Sequence, residues 1–168
     1  AAVSKTGLDK IKVIAEAQIG GTPVRGIEES HTVGSAGWYM DLLPPDGKPA
    51  GERMVVPNQF RGTALIGTTR IPDTEDICSP SGTGFVMAIN PFTGGRLSGG
   101  FFDIDGDGKF DETITVGDTQ IPVSGVGMPS GPNDPTFVGE LMIVGLDDAS
   151  EKTLKTNVGE LRPRRVSP

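Results

Sequence analysis

Asp103-Ile104-Asp105-Gly106-Asp107-Gly108-Lys109-Phe110-Asp111 sets four carboxylates within nine residues, at loop positions 1, 3, 5 and 9, with only Lys109 to offset them. In water such a cluster repels itself, and Asp and Gly favour neither helix nor strand. A hard divalent cation removes the difficulty. Calcium takes side-chain oxygens at odd positions of a tightly wound loop, a backbone carbonyl at position 7, and glycine at position 6 for the sharp turn. Here position 6 is Gly108 and position 7 is Lys109, whose carbonyl is placed to bind while its ammonium points to solvent. The pattern D-x-D-x-D-G is among the more specific short signals.

The loop departs from an EF-hand at both ends. Position 12 is Ile114, so the closing bidentate glutamate is missing, and Glu112 falls two residues early. The preceding stretch 94–100 is too rich in glycine for an entering helix. The reading is therefore an EF-hand-like calcium loop over 103–111, flanked by strands, with Asp111 as the closing side-chain ligand. Magnesium suits it less, because it prefers fewer protein ligands and keeps its water. Without a metal the same residues would make only a solvated acidic turn.

Working outward, turn signals alternate with short apolar runs. Ile11–Ile19 has strand composition, and Gly20-Gly21 joins it to Thr22–Glu29 as a two-residue hairpin. Gly37–Leu42 puts Trp38, Met40 and Leu42 on one face, and Pro44-Pro45-Asp46-Gly47 ends it. Glu52–Val56 and Gly62–Ile71 read as strands stopped by Pro57 and Pro72. Gly84–Ile89 is nearly all apolar, as a strand covered on both faces should be. Beyond the loop, Glu112–Val116 reads as a short strand and Phe137–Leu146 as the last convincing one. Between them Ser124–Thr136, with three prolines and three glycines, reads as a mobile surface loop.

No segment sustains a helical period, and breakers arrive about every ten residues. The expected fold is all-β with about eight or nine strands. Four of them follow in succession over about 37–98, the pattern of one propeller blade. At ~40–45 residues per blade the 168 residues supply about two blades, whose sheet edges need covering. The whole chain, 1–168, thus reads as a single all-β segment, with closing strands over 112–161.

Composition narrows the function. A net charge of −7 argues against nucleic acid and anionic membrane surfaces as partners. No apolar run approaches the ~20 residues of a membrane-spanning helix. The start at Ala1 without methionine reads as a processed or excised segment, and Cys78 is the single cysteine, either a free thiol or paired outside the segment. With one Cys and one His a tetrahedral zinc site is excluded. His31 has no evident triad partners and is read as a surface residue. Trp38 is read as a core residue rather than a sugar platform. The acidic stretch Asp73–Asp76 is read as a solvated loop, and the basic tail Arg162–Arg165 as frayed or docked elsewhere.

The runs Gly37–Val56, Phe60–Leu97, Asp103–Glu112 and Pro122–Ser130 together resemble the PilY family, over about Ile11 to Leu161. The features that carry the resemblance are the Gly-Trp-Tyr-x-Asp-Leu strand, the Ile-Pro…Cys-Ser segment, the Asn-Pro-Phe-Thr-Gly-Gly turn and the aspartate loop, in that order. The family comprises large, secreted type IV pilus biogenesis factors and tip-associated adhesins. The resemblance implies the end of a C-terminal, modified β-propeller domain, with calcium ligands carried onto Asp103, Asp105, Asp107, the carbonyl of Lys109, and Asp111. It implies a non-enzymatic role at the cell surface, pilus-associated or at the outer membrane. That role covers pilus assembly, calcium-modulated retraction, and attachment to a surface ligand. Partners would be major or minor pilins, or the remainder of a parent chain. An Arg-Gly-Asp motif of some relatives has no counterpart, since Thr63 follows Arg61-Gly62. Two other readings stand beside this one: a calcium-stabilised module of another secreted protein, and a quinone-dependent propeller enzyme. The enzyme would call for vicinal cysteines and a catalytic carboxylate at a ring centre, neither of which the sequence offers.

Overall fold

The computed structural model describes residues 5–31, 36–73 and 82–159. Cys78, residues 74–76 and the tail 162–165 lie outside these. The described residues form fifteen strands and no helix, more strands than expected, because two expected runs are divided and several short strands lie between the runs. Ile11–Ile19 splits at Lys12 into β1 (Asp9–Ile11) and β2 (Val13–Ile19), and β2 turns through Gly20-Gly21 into β3 (Thr22–Ile27). That hairpin has the expected two-residue turn, with Ile19 opposite Thr22. Next come β4 (Trp38–Met40), β5 (Arg53–Met54), β6 (Gln59–Arg61), β7 (Ala64–Ile71) and β8 (Thr83–Ile89). The C-terminal half holds β9 (Phe102–Asp103), β10 (Thr113–Val116), β11 (Thr119–Pro122), β12 (Gly125–Met128), β13 (Thr136–Val138), β14 (Leu141–Gly145) and β15 (Glu151–Thr156).

Seven strands make the main sheet, in the order β2-β3-β12-β8-β7-β5, with β6 also on β7. A second sheet runs β13-β14-β15-β9, and β10-β11 and the parallel pair β1-β4 stand apart. β8 is central to the packing. Val86 and Ala88 point into the larger core with Phe102, Met142 and Val144 of the second sheet. Phe85, Met87 and Ile89 point to the opposite face, where Trp38, Met40 and Leu42 cover them. This alternation is what period-2 side chains require of a strand sandwiched between layers. Each large side chain so buried contributes about 1.5–3 kcal/mol.

Three expectations are corrected. Residues 37–98 do not form a separate four-strand blade: β4 pairs with β1, while β12 and β3 extend the sheet beyond β8. Among the described residues no closed ring or barrel forms. Ser124–Thr136 is not a mobile surface loop, because Gly125–Met128 is fully buried between β3 and β8. Its glycines are there for close approach, since a Cβ at Gly127 would stand 2.7 Å from Pro23. Phe137–Leu146 is not one strand but the end of one and the whole of the next, and β15, an alternating Glu151–Thr156, follows it unforeseen.

Two of the motifs behind the family resemblance meet here. The Trp38 indole donates to the Pro91 carbonyl at 2.9 Å, and Asn90 Oδ1 caps the turn by accepting from Phe92 N and Thr93 N. Trp38 is thus part of the packing, as expected of it. His31 is exposed, beside Glu29.

Candidate metal centre

β9 delivers the first residue of the acidic loop. Phe101 and Phe102, packed edge to face with centroids 5.0 Å apart, are both buried. They draw the next residue, Asp103, to 3% exposure, and β15 pairs Lys155 opposite it. A carboxylate taken so far from water needs donors. Asp103 finds two backbone amides: Oδ1 accepts from Gly106 N at 2.8 Å and Oδ2 from Gly108 N at 3.1 Å. Asp105 Oδ1 accepts from Asp107 N at 3.0 Å, and Asp107 Oδ1 from Lys109 N at 2.8 Å. Successive aspartates therefore wind the chain by capping amides just ahead of them. Gly108 has φ +86°, the left-handed turn foreseen at position 6.

The structure brings Asp103 and Asp105 together, and adds a residue that the loop pattern leaves out. One carboxylate oxygen from each of Asp103, Asp105 and Glu112 lies within 4.8 Å of the other two. Glu112 folds back from the foot of β10, where its Oε1 accepts from Ile104 N and from Asp105 N. Its Oε2 is buried and has no hydrogen-bond partner among the described residues. The signal was present in the sequence as an acidic residue directly after Asp111, but no spacing rule says that it turns inward.

The other expected ligands stand differently. Asp107 holds the Lys109 ammonium at 2.6 Å, so that ammonium does not simply face solvent. The Lys109 side chain and amide hold the Asp107 carboxyl below the usual carboxylate range, and Asp107 in turn raises the lysine. Asp111 is exposed, outside the converging set. A hollow of about 250 Å³ adjoins Asp103–Gly106, walled on its far side by Thr153, Leu154 and Lys155. Three hard, anionic oxygen donors on a wound loop, one of them with an orphaned buried oxygen, fit a hard divalent cation and not a soft metal.

The protein is thus of an all-β class, two larger sheets and two strand pairs with a strand-flanked acidic loop at the edge of the second sheet. No family model matches the chain. Over 164 residues, 97% of its length, it is 49% identical to the type IV pilus biogenesis factor PilY1 homolog of Xylella fastidiosa (strain Temecula1). It is 27% identical over 89 residues to type IV pilus biogenesis factor PilY1 of Pseudomonas aeruginosa (strain PAO1), a match covering 53% of this chain. The chain spans 13% of the length of the first relative, and the match takes in 8% of the second. The crystal structure of the Pseudomonas aeruginosa PilY1 C-terminal domain superposes with a TM-score of 0.70, covering 94% of this chain and 33% of that one. At 18% identity that likeness speaks for the fold alone. The chain is thus similar, over nearly all its length, to one segment of PilY1-type proteins, and the resemblance read from its residues is found again.

Proposed function

We propose that this chain is a calcium-binding segment of a type IV pilus biogenesis factor, acting without catalysis. The observation that carries the reading is the acidic cluster at the end of β9, with its orphaned buried oxygen, in a chain so similar to a PilY1 homolog. By the loop pattern the residues that would hold the ion are Asp103, Asp105, Asp107, the carbonyl of Lys109, and Asp111, of which Asp103 and Asp105 belong to the converging set. Bound there, calcium would neutralise the loop's charge and order the junction between β9 and β10. Asp107 would have to release Lys109 to take part.

In this reading the two sheets belong to a modified propeller that the rest of a longer parent completes, residues 1–168 being its C-terminal portion. The parent would be secreted to the cell surface and associated with the pilus or the outer membrane. Pilins would be its partners, and its tip position would serve adhesion. Metal occupancy would bias two states of this end of the domain, one favouring extended pili and one permitting retraction and twitching. The bias is limited to the differential affinity of the ion for the two states, about 1.4 kcal/mol per tenfold.

Calorimetry tests the site first. Calcium should bind the chain with one-to-one stoichiometry, and Asp103→Ala should abolish binding while distant strands keep their amide protection. Unchanged affinity in Asp103→Ala would remove the site. In the parent protein, replacing Asp105 and Asp111 should alter surface piliation and twitching, compared with and without the retraction ATPase. Unchanged pili and attachment in every background would leave the loop as a structural staple of a secreted module.

A further inference from the structure

Resting on the calcium reading, the geometry points to Glu112 as a donor to the ion, occupying the role that position 12 has lost. Position 12 is Ile114, which is 4% exposed and belongs to the larger core, so no carboxylate can close the loop from there. Glu112 reaches the same place by another route. Its backbone carbonyl is held at the foot of the β10–β11 hairpin by Val123 N at 3.2 Å. Its side chain crosses to the loop entrance, and Oε1 takes the amides of Ile104 and Asp105. Oε2 is left buried without a donor among the described residues.

A buried oxygen of this kind is costly without a partner, and a bound cation is one of the few partners that would satisfy it. The distances agree. Calcium–oxygen bonds of about 2.3–2.6 Å allow two ligand oxygens to stand up to ~5 Å apart across the ion. Oxygens of Asp103, Asp105 and Glu112 lie within 4.8 Å of one another, inside that limit. The cation closest in sequence, Lys109, is engaged by Asp107. Glu112 therefore does two jobs with one carboxylate: Oε1 fixes the loop entrance through backbone amides, and Oε2 supplies charge to the ion. Because the same residue anchors β10, occupancy of the loop is transmitted to the hairpin at residues 113–122.

Terbium, a luminescent calcium substitute, separates a donor from a mere latch. Glu112→Gln keeps the acceptor for the two amides and the side-chain volume but removes the charge. Calcium affinity should fall about tenfold, the order by which ligand charge tunes such sites. The luminescence decay of bound terbium in H2O and D2O should report one more coordinated water than in the unchanged chain. Glu112→Ala should add the same water and also loosen the Ile104 and Asp105 amides in hydrogen exchange. Faster exchange of those amides in Glu112→Ala, with hydration number and affinity unchanged in both variants, would reduce Glu112 to a latch and overturn the inference. Failure of the unchanged chain to bind calcium or terbium at all would reject the calcium site itself, a distinct result.

Discussion

Arg25 offers the sharpest test of how this fold is held together. It lies on β3 directly opposite Glu16 of β2, yet its side chain is 1% exposed. The guanidinium crosses β12 above Gly125 and stands 3.8 Å from the Phe85 ring centroid. It grips Glu52 with two bonds, at 2.7 and 3.0 Å, and Glu16 Oε1 at 2.6 and 3.0 Å. Glu52 is as buried as the arginine, at 1%, whereas Glu16 is 33% exposed. Arg25→Met keeps the apolar stem and removes the charge, stranding the Glu52 carboxylate in the interior. Breaking a buried pair from one side costs about 3–5 kcal/mol, against a total of roughly 5–15 kcal/mol for a domain. Glu16→Gln should cost under about 1 kcal/mol, because water already solvates that carboxylate. The double variant Arg25→Met/Glu52→Gln should recover much of the loss, since no uncompensated charge remains. Urea denaturation with linear extrapolation measures all three, and an unchanged slope verifies that the compactness of the end states is the same. A cost below about 1 kcal/mol for Arg25→Met, or strict additivity in the double variant, would refute the argument.

Other outcomes are equally open to measurement. At Gly94, φ is +71° and an added Cβ would stand 2.3 Å from the Trp38 ring, so Gly94→Ala should cost about 2 kcal/mol or more and weaken tryptophan packing seen in near-UV circular dichroism. Hydrogen bonds from Lys10 and then Lys5 hold the Asp41 carboxyl down at about 2, from an ordinary 3.8. Their support of the β1–β4 pair is complete above pH 3.8 and lost as pH falls towards 2, so amide protection of Asp9–Ile11 should drop across that window and Asp41→Asn should abolish the dependence. Lys109→Ala keeps the backbone carbonyl but frees Asp107, and should raise calcium affinity by about threefold, the order expected of an exposed ion pair, with a smaller effect at high salt.

Much of the fold was legible because it is written in local chemistry. Positive-φ glycines at 20 and 21 can only be a tight turn between strands, and the alternation in Trp38, Met40 and Leu42 named their shared face before any partner was known. The aspartate loop could be placed between strands because its amide caps lie within five residues of each carboxylate. The ligand list was less legible. Asp103 and Asp105 converge as their spacing suggests, but Glu112 joins them by a side-chain path that depends on where the β10–β11 hairpin docks.

The sequence by itself thus determined an all-β chain, the positions of its tightest turns, and an anionic loop suited to a hard cation, all consequences of interactions a few residues long. Tertiary structure alone decided that β12 lies between β3 and β8, that β4 pairs with β1, and that Arg25 is buried between two glutamates. Strand order depends on which distant edges meet, and glycines such as Gly125 and Gly127 read as breakers until a neighbour presses against them. A charge is equally ambiguous in one dimension. Whether it is solvated or interior depends on the sheet face it lands on and on the partners that fold brings to it.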